Sequence, residues 1–123
     1  MPQLKELNEY VSLEEQLHSK EDGSIVLVNV FTVAREDEDA LLEAWSHDAE
    51  FMKGQPGYIS TQMHKAIAGS LTYLNYAVWE DLESFRSAFT NPEFQNRIAR
   101  YPSSASVSPH LFKKLAVSGH CVS

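Results

Sequence analysis

The run Ile25-Val26-Leu27-Val28-Asn29-Val30-Phe31-Thr32-Val33 is apolar or β-branched at nearly every position. Such side chains suit a pleated, packed surface, and a run with so little polar alternation suits a strand covered on both faces. Whatever fold contains it must place material above and below its sheet. Asn29 interrupts the run with an amide where a hydrophobic residue would cost less. A second apolar run, Leu71 to Glu80, carries Asn75 and Trp79. Side chains two and four apart in a strand share a face, so Asn75 and Trp79 point the same way as Tyr73 and Ala77, and Tyr76 points the other way. If Asn29 joins them, one face carries two neutral hydrogen-bonding amides and an aromatic wall.

The remaining elements follow from periodicity and punctuation. Leu42, Trp45, Ala49 and Met52 recur at helical spacing before Gly54 and Pro56, which predicts a helix over Asp37 to Lys53. Its first turn holds Glu36-Asp37-Glu38-Asp39, which complements the helix dipole and matches no calcium-loop spacing. Pro56-Gly57 marks a turn into an alternating strand, Tyr58 to Ala66, and Ala68-Gly69-Ser70 links it to the Leu71–Glu80 strand as a hairpin. Asp81 caps a helix with Leu82, Phe85 and Phe89 on one side. Asn91-Pro92 opens another helix, with Phe94, Ile98 and Tyr101 as its buried stripe. His110 to Val117 reads as the last strand.

Strand, helix, strand, strand, helix pair, strand is the order of an α+β, ferredoxin-like split βαβ fold with an antiparallel sheet. The predicted organisation is an N-terminal arm at residues 1–23, a folded domain at 24–118 and a loose tail at 119–123. Within the arm, Leu4, Leu7 and Val11 have the spacing of a short amphipathic helix. The helices cover one sheet face, and the other needs a cover of its own, so a homodimer packed sheet to sheet is expected.

Composition narrows the partners. A chain of 123 residues holds one core, and its net charge of −7 with no Lys/Arg cluster argues against nucleic acid and anionic membrane. No apolar run nears the roughly 20 residues of a membrane span, and the acidic N-terminus lacks a signal-peptide pattern, so the expected location is cytoplasmic. The single cysteine, Cys121, excludes an intrachain disulfide framework.

Three segments together, Val28-Asn29-Val30-Phe31-Thr32-Val33, Gln55-Pro56-Gly57-Tyr58-Ile59-Ser60 and Asn75-Tyr76-Ala77-Val78-Trp79-Glu80, resemble the antibiotic biosynthesis monooxygenase family of the dimeric α+β barrel superfamily. The resemblance implies a homodimeric barrel. In the family's cofactor-independent oxygenases, which turn anthrone-type aromatics into quinones with molecular oxygen, an Asn on the first strand and an Asn and a Trp on the third line the pocket. Asn29, Asn75 and Trp79 match those positions. The expectation is therefore a monooxygenase acting on a small enolisable aromatic, with no metal or organic cofactor. The family's haem-degrading branch adds a histidine on a later helix, and Phe94-Gln95-Asn96-Arg97-Ile98-Ala99-Arg100 has none, so haem is not expected. A non-catalytic ligand-binding or stress-associated dimer of the same fold is the alternative.

Around that trio, Phe31, Trp45, Met52, Tyr73, Phe85 and Phe89 are the expected pocket lining, and Tyr58 is a further aromatic candidate. His64 is the candidate general base, because an ordinary imidazole titrates near neutrality. Its alternation with Ser60 and Gln62 also allows a place on the opposite, barrel-facing side. His110 could reach the pocket mouth or the dimer interface, and Tyr76 belongs to the interface.

Overall fold

A computed structural model describes residues 1–123. The apolar run beginning at Ile25 forms β2 (Ile25–Thr32), the middle of the sheet. The arm before it contributes a two-residue strand, β1 (Gln3–Leu4), and a short helix, α1 (Leu13–Leu17). After β2 come a 3-10 turn at Arg35–Asp37, helix α2 (Glu38–Lys53), the hairpin β3 (Tyr58–Lys65) and β4 (Thr72–Trp79), helices α3 (Leu82–Phe89) and α4 (Pro92–Arg97), and β5 (Ser106–Phe112). The sheet order is β1-β5-β2-β4-β3. β2 pairs antiparallel with both β4 and β5, and β3 pairs antiparallel with β4. Only β1, on β5, is parallel. Without β1 the order is that of the expected split βαβ fold, now part of a mixed five-stranded sheet.

Local chemistry sets the helix ends. Asp81 accepts the Ser84 N–H at 2.7 Å and Asn91 accepts that of Glu93 at 2.8 Å, so both caps act as the sequence predicts. Gly57 holds φ +85°, and a Cβ there would stand 2.2 Å from Ser84 Oγ. The turn before β3 thus lies directly against the first turn of α3. On α2, Glu38 accepts Lys65 Nζ at 2.5 Å and the Tyr73 phenol, which ties the helix start to β3 and β4. These hydrogen bonds, with that from Lys65 the largest influence, hold the Glu38 carboxyl below its usual range.

Two expected elements are displaced. The last strand occupies Ser106–Phe112 rather than His110 to Val117. It pairs with β2 from Thr32↔Ser106 to Val26↔Phe112, and β2 itself begins at Ile25, so Lys114 onward runs past its partner's end. The arm does not coil over Leu4, Leu7 and Val11. Asn8 Oδ1 instead accepts the Tyr10 and Val11 N–H groups in a turn, and the helix starts behind Ser12, whose capping box with Glu15 is complete. The tail closes a bridge between Val117 and Cys121 around Gly119 rather than trailing free.

The arm is fastened at several points. Gln3 and Lys5 N–H groups donate to the Ala105 and Val107 carbonyls, each at 2.9 Å. The Gln16 amide spans Leu111, accepting its N–H and donating to its carbonyl, both at 3.0 Å. Leu13 and Leu17 are buried among Ile25, Leu27, Trp79 and Phe85, and Arg86 of α3 donates to the Leu17 carbonyl at 2.7 Å.

Candidate active site

Strand register sorts the helix-covered face of the sheet into layers. At one end Ile25 lies opposite Trp79 and Leu27 opposite Ala77, all within one buried apolar cluster with Phe85. At the other end Phe31 lies opposite Tyr73, within a second cluster that includes Leu41, Ala44 and Tyr101. Between them Asn29 lies directly opposite Asn75. The core is therefore divided, and the division is the pair of amides. Directly opposed side chains in an antiparallel ladder have Cβ atoms about 5 Å apart, close enough for both to address one small ligand.

Each amide has its oxygen engaged. Asn75, 8% exposed, accepts the Thr61 hydroxyl at 2.6 Å, and Asn29 accepts the Ser108 N–H at 3.0 Å. Ser108 precedes Pro109, which stands opposite Asn29 in β5 and has no N–H for the ladder. With both oxygens taken, the NH2 groups are what these side chains can offer a ligand. Trp79 is 1% exposed and held edge-on between Tyr58 and Phe85, each ring centroid at 5.6 Å. Its plane is fixed by packing.

The amides line an inner chamber of about 60 Å³ with Trp79, Tyr58, Thr61, Phe31, Trp45, Met52 and Phe85 among its walls. That is less than half of the roughly 150 Å³ of an apolar cavity that takes up benzene, too little for a ring system alone. A second chamber of about 320 Å³ adjoins it through shared walls, namely Asn29, Phe31, Asp48, Phe94 and Tyr101. This outer chamber reaches the size at which small-molecule pockets begin. Its far side is the arm, with Met1, Pro2, Leu4, Glu6, Leu13 and Leu17. Phe89 belongs to this outer chamber rather than the inner one.

Two expected residues fall elsewhere. Tyr73 is buried on the correct face, but it packs in the second cluster and its phenol donates to Glu38, so it lines neither chamber. His64 pairs with Leu74, one residue out of phase with Asn75, so it stands on the opposite sheet face, exposed, with Nδ1 3.1 Å from the Leu74 carbonyl. As a base for this cavity it is on the wrong side of the sheet. His110, opposite Val28, also lies on that face, buried and 3.2 Å from Gln16 Nε2. Tyr76 is exposed there too, as its alternation requires.

One residue was not singled out in the sequence. Asp48 is buried at 7% exposure in the helix stripe Leu41, Ala44, Asp48, Phe51, and it lines both chambers. Its Oδ2 accepts the Tyr101 hydroxyl at 2.7 Å, while Oδ1 is buried without a partner. Burial pushes its carboxyl up from 3.8 to about 6, against the opposing pull of the Tyr101 hydrogen bond and of Arg97, His47 and Arg100. Burial also pushes the Tyr101 phenol far above its usual range, so it remains a donor. The signal was a carboxylate at helical spacing within an apolar stripe. No three His, Cys, Asp or Glu side chains gather where they could share a metal ion.

A split βαβ fold with this cavity between sheet and helices belongs to a known class. The sequence profile of the antibiotic biosynthesis monooxygenase family matches residues 24–100, and the chain is a member of that family. Among solved structures, it is similar to SnoaB, a cofactor-independent oxygenase from Streptomyces nogalater, at 23% identity and a TM-score of 0.71, over 80% of this chain and 100% of that one. It is also similar to a Shewanella loihica protein proposed to be a monooxygenase, at 25% identity and a TM-score of 0.66, over 79% and 100% of the two chains. A Bacteroides thetaiotaomicron protein of unknown function shares the fold at 13% identity and a TM-score of 0.68, over 75% and 98%. No curated protein matches the sequence.

Proposed function

We propose that this protein is a cofactor-independent monooxygenase that oxidises an enolisable, anthrone-like aromatic with molecular oxygen. The observation that carries this reading is the cross-strand pair Asn29 and Asn75, which line a largely apolar pocket together with Trp79.

Ground-state dioxygen is a triplet, so a closed-shell substrate must itself supply an electron. A phenolic anthrone does so once its methylene loses a proton and the charge spreads onto the carbonyl oxygen. In this reading the NH2 groups of Asn29 and Asn75 hold that oxygen, and donors fixed in a water-poor site stabilise developing charge strongly. Trp79 gives a flat wall for the rings. The anion passes one electron to dioxygen, and the resulting pair combines as a peroxide at the same carbon. Breaking the O–O bond with loss of the remaining hydrogen leaves a ketone and water. One methylene and one dioxygen thus become one carbonyl and one water, with no external reductant.

The large ring system would occupy the outer chamber, with its reacting edge towards the amides. The test is to incubate pure protein with a series of anthrones in air and follow quinone absorbance and oxygen uptake. Protein-dependent quinone with matching oxygen consumption is expected. No turnover on any anthrone that binds would favour a non-catalytic ligand-binding role.

The working unit we propose is a homodimer. The sheet face away from the helices carries Val26, Val28, Val30, Leu74, Tyr76 and Val78, with Tyr76 and Phe112 each 42% exposed. A second copy laid sheet to sheet would cover them.

A further inference from the structure

We propose that Asp48 is the general base of this site, taking the substrate's proton, and that Tyr101 positions it. The inference rests on the oxygenase reading for its substrate, but its geometry is independent of Asn29, Asn75 and Trp79.

A carboxylate in the centre of a helix's buried stripe needs compensation for both oxygens. Here one is compensated: Tyr101 donates to Oδ2 at 2.7 Å. The other, Oδ1, is buried and has nothing. A packing role would be filled better by a leucine, and a purely hydrogen-bonding role would not leave an oxygen bare. The bare oxygen belongs to a residue that walls both chambers, across the cavity from the amides on β2 and β4. Helix α2 thus supplies a proton acceptor to the same space into which the sheet supplies anion-holding donors. Separate acid–base and charge-stabilising groups are what deprotonation of a carbon conjugated to a carbonyl requires.

In the step, the methylene C–H bond breaks and its proton forms an O–H bond to Asp48 Oδ1. The electron pair stays on the substrate and spreads to the carbonyl oxygen held by the amides. After dioxygen adds, protonated Asp48 returns its proton to the outer peroxide oxygen. The carboxylate then takes the second hydrogen of the same carbon as the O–O bond breaks, and the hydroxide released recovers that proton as water. Asp48 ends ionised, as it began.

The environment suits a base working near neutrality. Burial is the largest influence on Asp48 and raises its carboxyl to about 6. The groups that act on it are the Tyr101 hydroxyl, Arg97 of α4, Arg100 of the following 3-10 turn and His47 on its own helix, all of which favour the charged form. Glu6 and Glu14 of the arm are the other acidic side chains at the outer chamber.

The experiment separates proton removal from oxidation. A dihydroxyanthrone is bound without oxygen in deuterated buffer, and exchange of its methylene hydrogens is followed by NMR, with affinity from tryptophan quenching. The wild type is expected to accelerate exchange, with a midpoint near 6. Asp48→Asn should slow exchange by at least about 100-fold at unchanged affinity, as loss of a positioned base does. Tyr101→Phe should keep exchange but move the midpoint upward, since its hydrogen bond favours the ionised carboxyl. No acceleration by the wild type, exchange in Asp48→Asn within about threefold of wild type, a loss matched by lost affinity, or an unmoved midpoint in Tyr101→Phe would each overturn the assignment. Exchange that depends on Asp48 without quinone in air would sink the oxygenase reading and leave the base. Quinone formation indifferent to Asp48 would do the reverse.

Discussion

The two faces of the central sheet are built from the same strands and carry different kinds of polarity. On the helix-covered face the polar groups are few and hydrogen-bonded, with the half-buried Asn29 and the buried Asn75 set opposite each other between two apolar clusters. On the open face the order is inverted: Val28, Val30, Val78 and Leu74 stand half-exposed, and Tyr76 and His64 are exposed among them. A buried amide must be hydrogen-bonded within the fold or to a ligand, and a contiguous apolar surface marks a face to be covered. One face reads as chemistry and the other as assembly, and period-two alternation keeps them apart within a single strand.

The sharpest way to break that contrast is to change neighbours in sequence that face opposite ways. Asn75→Ala removes one anion donor and should lower turnover of an anthrone by about 100- to 1,000-fold, the range seen for loss of one such donor. The protein should stay folded, because losing the Thr61 hydrogen bond costs only about 1–2 kcal/mol. Activity within a few-fold of wild type, assayed at saturating substrate, would remove the amide from the chemistry. Leu74→Asp, one residue away, should shift the protein from dimer to monomer in sedimentation velocity. Leu74 pairs with Val30, out of phase with Asn29 and Asn75, so it faces away from the chambers, and turnover of the variant should stay within about threefold of wild type, as for substitutions away from buried features. A monomeric wild type would break the assembly half of the comparison, and a dead Leu74→Asp variant would show that the faces are not separable.

What the sequence made legible is what alternation makes legible. Asn29, Asn75 and Trp79 could be set on one face because a strand's period is two, and the caps at Asp81 and Asn91 are local signals that the chain obeys. The limits of β5 were not readable, because they depend on where β2 ends, and pairing of β1 with β5 spans almost the whole chain. Asp48 was missed for a different reason. The broad apolar face of α2 supports two adjacent stripes at helical spacing. The bulky Leu42, Trp45 and Met52 draw the eye, yet the deeper stripe is Leu41, Ala44, Asp48 and Phe51. A carboxylate in a helix counts as surface in any periodicity reading, so the charged group most relevant to the pocket is the one such a reading discards.

Asp48 also links the comparison to stability. Its carboxyl is raised in the folded protein, from 3.8 to about 6, so the native state holds the proton more tightly than the unfolded chain. The sign follows: the folded protein is favoured below about 4, loses that advantage as pH rises to about 6, and carries the full deficit above it. At the usual conversion the deficit is roughly 2–3 kcal/mol. Asp48→Asn should therefore raise the stability extrapolated from urea unfolding at pH 8 by about that much and leave it almost unchanged at pH 3. A catalytic group kept at such a cost is a familiar trade of stability for function. If the variant is instead destabilised at pH 8, the carboxylate serves the fold, chiefly as a partner for Tyr101 and Arg97.

The smallest effect is expected at the residue that sequence alone offers as the base. His64 would suit proton transfer at neutral pH in isolation, but β4 carries Asn75 on one face and β3 carries His64 on the other, and the sheet lies between them. No side-chain rotation crosses a sheet. Its one hydrogen-bond partner is the Leu74 carbonyl at 3.1 Å, on an exposed surface. His64→Ala should therefore change anthrone turnover by less than about twofold and stability by no more than about 0.5 kcal/mol, as for surface positions. The measurement that matters is the pH profile of turnover, whose ascending limb should remain where Asp48 places it. A limb that disappears with His64 would mean that the histidine reaches a site across the dimer, and the division between a chemical face and an assembling face would fail at that point.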